Sequence, residues 1–257
     1  MAARSIWRGA VNFGMVSIPA KLYGAVEDDR INLHQYHQPC GSRISMPRFC
    51  PVCDRKLEAA EIVKGYEMGD RFVPLTEADF QSLPLRSVKA IEVVEFIDPG
   101  QVDFRCWGKP YFLKADTAGD KAYKLMMLAM EKTGLAAVGK LAYREREHLC
   151  LLRPFDGVIA LQTLLYAEQL RPYEEFHPKD YAVSEREIEL AVALVKAMAN
   201  PAFELGKYHD EYRQALERLI EAKAAGEVIE MPKVEEAPVG DVAEALLASL
   251  NIAKVRA

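Results

Sequence analysis

Two textures of hydrophobic patterning divide this chain. Near the start, Val11, Phe13 and Met15 alternate with Asn12 and Gly14, the period of a half-buried strand. The phase slips at Met15–Val16, after which Val16 and Ile18 carry the alternation on; such a doublet predicts a bulge or a strand that changes partners. Ile18–Pro19 predicts the end of the run or an edge position, because proline lacks a ladder donor. Further strands are predicted over residues 88–97, 110–114, 148–153 and 158–165, each rich in β-branched or aromatic residues or bounded by Pro, Gly or Asp. One helix interrupts them at about 120–133, with Gly134 as its stop.

From Ser184 the period becomes helical. Ser184 and Glu187 form a capping box, and Ile188, Ala191, Val192, Val195 and Ala199 make one apolar stripe that Asn200–Pro201 closes. A second helix is predicted over about 207–225, with Tyr208, Tyr212, Leu216, Leu219 and Ile220 on one face and Gly226 at its end. Residues 227–240 carry Pro232, Pro238 and four glutamates, the composition of an extended linker. A short helix over 241–250 then stripes Val242, Leu246, Leu247 and Leu250. So short a helix is marginal alone in water. It either folds back onto its own body or docks on a partner, and the pattern leaves both open. The reading is an α+β chain: a β-rich core over 1–181, a helical arm over 182–226, and a linker with a terminal helix over 227–257.

Composition narrows the class. Half the residues are apolar and 28% are charged, which argues against wholesale disorder. No run approaches a membrane span and the first residues lack a secretory apolar region, so a cytoplasmic protein is expected. The net charge of −5 gives no general sign of nucleic-acid binding. It is unevenly spread: residues 1–56 hold 8 Lys and Arg against 4 Asp and Glu, and residues 182–257 hold 9 against 14. A local positive surface is therefore permitted.

The most specific constellation is His37-x2-Cys40-x9-Cys50-x2-Cys53, within about 34–56. Two short-spaced pairs offering three sulfurs and one nitrogen suit a closed, structural Zn²⁺ site. A redox Cys-x-x-Cys or plain buried thiols are the alternatives, although the βαβ setting of a redox motif is missing. His34 could stand in for His37. Cys106 and Cys150 lie in apolar strand contexts and read as core. Phosphate loops, G-x-G-x-x-G, G-x-S-x-G and H-E-x-x-H are all absent from the sequence. His148, beside Glu145 and Glu147, could do acid–base work, but a strand histidine among charges is more often structural. His209–Asp210 reads as surface or helix packing.

Several blocks, in order over about residues 4–225, resemble the prokaryotic Ku proteins. They are RSIWRGAVNFGMVSIPAKLY from Arg4 to Tyr23, His37-x-x-Cys40-Gly-Ser-Arg-Ile44 with its following Cys-Pro-x-Cys, KPYFL at 109–113 through DKAY at 120–123, REHL at 146–149 through LRP at 152–154, and KYHDEYR at 207–213 through IEAK at 220–223. The resemblance implies a β-barrel with a strand-built bridge and an arm embracing a second copy. The resulting homodimeric ring would encircle double-stranded DNA ends without reading sequence. It would recruit a multifunctional DNA ligase for non-homologous end joining, near the nucleoid, and catalyse nothing itself.

A ring needs positive charge only on its lumen, which reconciles the family with an acidic chain. By position in the matched blocks, Lys114, Lys140, Arg144, Arg146 and Arg153 are the expected lumen contacts, with Arg43 and Arg48 further out. Tyr208, Tyr212 and Leu216 are expected at the dimer contact, and Val242, Leu246, Leu247 and Leu250 at the ligase. Many relatives carry a Lys-rich tail; here residues 251–257 hold only Lys254 and Arg256, so tail-assisted DNA affinity is not expected. A zinc-knuckle module binding RNA or protein without encircling it, and a hydrolase built on His148, are the competing readings.

Overall fold

Seven strands close on themselves in the computed structural model, which describes residues 3–27, 29–82, 89–143, 146–227 and 245–250. The chain divides into two units, Met1–Pro172 and Tyr173–Ala257. In the first, β1 (Trp7–Phe13) and β2 (Val16–Gly24) form a hairpin. There follow the small strands β3 (Tyr36–His37), β4 (Ser42–Arg43), β5 (Phe49–Cys50) and β6 (Arg55–Lys56), a longer hairpin of β7 (Lys64–Met68) and β8 (Arg71–Leu75), and helix α1 (Glu77–Ser82). The chain then returns through β9 (Ala90–Ile97), β10 (Trp107–Ala115), helix α2 (Asp120–Thr133), β11 (Ala136–Tyr143), β12 (Arg146–Phe155) and β13 (Val158–Leu164). Around the barrel the order is β1-β2-β10-β13-β12-β11-β9, and β9 closes it by lying parallel to β1 at Ala10–Asn12.

Inward side chains from every wall meet in one core. Ile18, Leu22, Ile91, Leu113, Leu141, Leu152, Ile159 and Leu161 are fully buried, and α2 adds Met126, Met127 and Met130 to the same cluster. At roughly 1.5–3 kcal/mol for each large side chain, this burial is the main drive to fold. Polar ties then fix the helix. The Tyr123 hydroxyl donates to Leu113 O at 2.8 Å and accepts from Ile159 N at 2.6 Å, joining α2 to β10 and β13. A second, outer cluster of Ala136, Val138, Leu151 and Leu164 is covered by Val102, Trp107 and neighbouring residues.

Two local expectations need correction. Met15–Val16 is not a bulge: Phe13 pairs Val16 across a two-residue turn, and Gly14 supplies the positive φ of 56° it needs. Register shifts lie elsewhere in the barrel: where Val138 pairs Glu95 and Gly139 pairs Val93, leaving Val94 as the extra residue, and where β10 slips against β13 between Trp107 and Pro110. Pro19 does not end its strand, which runs on to Gly24. The Ala10 N–H bonds to Lys89 O on the far side, so the Ala10–Pro19 pair exchanges no hydrogen bonds and the missing donor is not needed by β1. On the other flank, the pairing of β10 with β2 has stopped at Ala20, and Asp116 N caps Pro19 O at 2.9 Å.

The predicted helix over 120–133 agrees with α2, and Gly134 closes it in the left-handed region at φ 69°. In the second unit, Ser184 and Glu187 make the expected box at the start of α3 (Glu185–Met198), although Ala199 caps this helix and does not extend its stripe. The next helix, α4, begins later than expected, at Glu211, and ends at Ala225 with Gly226 left-handed. Asp210 accepts from Arg213 N and so stands as its N-cap, which leaves Tyr208 in the preceding turn. Residues 245–250 are helical; the rest of the predicted terminal helix lies outside the described residues.

Candidate nucleic-acid interface

Strand alternation decides which charges the barrel can offer. On β12, Cys150 and Leu152 point into the core, so Arg153 between Leu152 and Pro154 faces out. It is exposed, with its guanidinium 5.6 Å from the centre of the Trp107 ring. A cation on an aromatic face keeps its edge N–H donors available. On β10, Leu113 is inward and Lys114 is outward and exposed. Neither Arg153 nor Lys114 has a carboxylate partner among the described residues.

Register brings this pair to one surface. Ala160 of β13 lies opposite both Phe112 of β10 and Arg153 of β12, so Lys114 and Arg153 flank the same three-stranded face. Lys140 and Arg146 sit apart from them, towards the far end of the β11–β12 hairpin. Lys140 binds Glu147 at 2.9 Å, which lowers its value as a free positive charge. Arg146 is exposed, and Arg144 lies outside the described residues. Arg43 and Arg48 are exposed among the small hairpins, with Arg43 also 3.0 Å from His34 Nδ1. The expected contacts thus fall into three groups. Sequence reasoning missed the aromatic company of Arg153, namely Trp107, Phe112 and Phe155, because it depends on pairing across three strands.

The Cys/His motif folds as two similar halves. His37 Nδ1 lies 3.0 Å from Cys40 Sγ across the β3–β4 turn, where Gly41 takes a φ of 67°. Cys50 and Cys53 share the β5–β6 turn, and Asp54 after them takes a φ of 51°. Each left-handed residue thus follows the second donor of its pair. Hydrogen bonding by Ser42 holds the Cys40 thiol below its usual range, and the Cys53 and Val52 amides do the same for Cys50. The Cys50 sulfur in turn pushes Cys53 up. Donor chemistry and turn geometry fit zinc within each half. Among the described residues, however, no three His, Cys, Asp or Glu side chains converge as a metal set.

His148 has the Tyr143 ring as its neighbour, at 6.4 Å, while Glu147 is taken by Lys140 and the Tyr166 hydroxyl. Burial pushes the Cys150 thiol up to about 12, as befits an inert core residue. In the arm, no residue of α3 is buried, and Tyr208 and Tyr212 are exposed while Leu216 is half-buried. Leu246 and Leu250 are half-buried, Leu247 is exposed, and Val242 lies outside the described residues.

The barrel has known counterparts. Residues 12–190 match the family model described as the Ku70/Ku80 beta-barrel domain. The chain is 40% identical over 256 residues to the non-homologous end joining protein Ku of Archaeoglobus fulgidus, covering 98% of this chain and 100% of that one. It is 36% identical over 263 residues to the protein of the same name from Symbiobacterium thermophilum, covering 99% of this chain and 64% of that one. For the Frankia casuarinae protein the identity is 39% over 256 residues, with 98% of this chain and 64% of the relative covered. With a seven-stranded barrel of matching description and relatives aligned over nearly its whole length, the chain belongs to the Ku family of non-homologous end-joining proteins.

Proposed function

We propose that two copies of this chain form a ring that binds double-stranded DNA ends without sequence specificity and recruits a DNA ligase to them, without catalysing a reaction. Family membership supports the action at DNA ends. The observation that carries the ring is the arm. α3 presents Ile188, Val192, Val195 and Met198 with none of them buried, the last two about 70% exposed. An apolar stripe of this extent needs a covering surface, and a second copy supplies one in a self-complementary dimer. Lys114 and Arg153 then serve phosphates and not carboxylates, which gives affinity without base readout. The helix over 245–250 is the segment assigned to the ligase; the expected linker before it lies outside the described residues but for Glu227. Zinc held by His37, Cys40, Cys50 and Cys53 would staple the two small hairpins together, a structural role that leaves no position for a catalytic water.

The decisive experiment compares linear duplex with the same DNA closed into a circle. Binding to the linear form alone is expected, falling steeply as salt rises through about 50–200 mM. Equal binding to covalently closed circles sinks the threading mechanism.

A further inference from the structure

Because Ala160 is small, the row Phe112–Ala160–Arg153 leaves a hollow on the barrel's outer face. This cavity of about 140 Å³ is lined by Phe112, Phe155, Arg153, Ala160, Pro110 and Gln162, among others. It is too small for a typical small-molecule site of roughly 300–1,000 Å³, and suits one planar group. Its walls have a distinct chemistry. The Phe112 and Phe155 rings stack with centroids 6.2 Å apart and planes 24° apart, and both line the hollow. Arg153 also lines it, its guanidinium 5.6 Å from the centre of the Trp107 ring and without a carboxylate partner among the described residues. The Gln162 amide nitrogen donates to Gly108 O at 3.1 Å, leaving its carbonyl oxygen as an acceptor.

Stacked aromatic rings beside a cation are the recognition chemistry of single-stranded nucleic acid. Paired duplex offers such a hollow nothing, because its bases are already stacked. An overhang offers an unstacked base with a phosphate attached. We propose that the Phe112–Phe155 cavity takes one unpaired base of a single-stranded overhang, with the adjoining phosphate on Arg153. This inference rests on the DNA-end reading above. It adds a feature that threading alone does not require: the chain distinguishes a blunt end from one with a free strand. An apolar peptide side chain is the rival occupant, and Arg153 counts against it, since it gives the cavity a charge that a phosphate answers.

The test uses the full chain with duplexes of one sequence, blunt or carrying a short overhang with 2-aminopurine as an unpaired base. The overhang is expected to bind roughly tenfold more tightly than the blunt end, with 2-aminopurine emission quenched by stacking. Phe155→Ala, at a side chain 54% exposed, is expected to abolish both effects and keep blunt-end binding. Phe112→Leu repeats the test should the first variant melt early. Equal affinity for both ends in the unaltered protein, or quenching that persists in Phe155→Ala, overturns the proposal. So does a Phe155→Ala protein that keeps its overhang preference and loses only ligase stimulation, for then the cavity anchors a protein. Failure of the unaltered chain to bind blunt duplex at all overturns the end-binding reading instead.

Discussion

Single side chains hold this fold at points where backbone groups need a partner. Tyr123 serves two strands through one hydroxyl, accepting from Ile159 N and donating to Leu113 O. Tyr123→Phe keeps the ring and strands both backbone groups, so a loss of about 1–3 kcal/mol is expected. It reads out as a lower denaturant midpoint with an unchanged slope. Asp116 has a different task. Lys21 at 2.7 Å, with Arg8 beside it, holds its carboxyl below the usual range and pins the strand end that leads into α2. The cysteines make the sharpest contrast, with Cys150 sealed in the core and Cys40 and Cys53 exposed. Protein purified without added metal is expected to carry about one zinc per chain, lost in Cys50→Ser. A folded, metal-free wild-type protein refutes the zinc assignment.

At the scale of elements, α3 is the helix most in need of company. Val195→Asp alters a side chain already in solvent, so the fold should stand, while the apolar stripe gains a charge that a mating surface cannot bury cheaply. A shift from dimer to monomer in light scattering is expected, with DNA-end binding weakened in step; an unaltered dimer moves the interface elsewhere. Helix ends were plain in the sequence because capping is local: Ser184 with Glu187, Gly134 and Gly226 each act within one turn. Asp210 carries the same local signal, yet Tyr208 and the residues around it fit the apolar stripe and pull the predicted start too early. β11 was illegible for a tertiary reason. Its Ala-Ala-Val-Gly-Lys-Leu-Ala-Tyr sequence has little strand propensity, and burial on both faces erases the alternation. The hollow beside Arg153 was equally hidden, since it exists only when β10, β13 and β12 stand in register.

The chain joins a barrel that closes within one copy to an arm whose helix α3 buries none of its residues. Under the proposed DNA-end binding, outward Lys114 and Arg153 would let a chain of net charge −5 meet a polyanion: what matters is which positive charges lack carboxylate partners. Removing residues 241–257 is expected to leave DNA-end binding unchanged and to reduce ligase stimulation; gel shift and a joining assay separate the two. Loss of DNA binding on that deletion instead gives the tail a role in gripping DNA. His148, the best enzyme candidate in the sequence, has the Tyr143 ring as a neighbour.

The parallel seam between β1 and β9 bears on how such a chain can fold and vary. Of the seven neighbour pairs in the wall only β1–β2, β11–β12 and β12–β13 can zip from a short turn, whereas Ala10 must wait for Ala90 and Gly24 for Tyr111. Closure is therefore expected late in folding, after the hairpin and meander that it joins. The intervening stretch, with its small hairpins and the β7–β8 ribbon, hangs outside that closure as one loop. Loop entropy grows only logarithmically, by about 0.6 kcal/mol for each doubling of length. The outreach can thus be lengthened or trimmed at small thermodynamic cost, while the barrel keeps its dimensions.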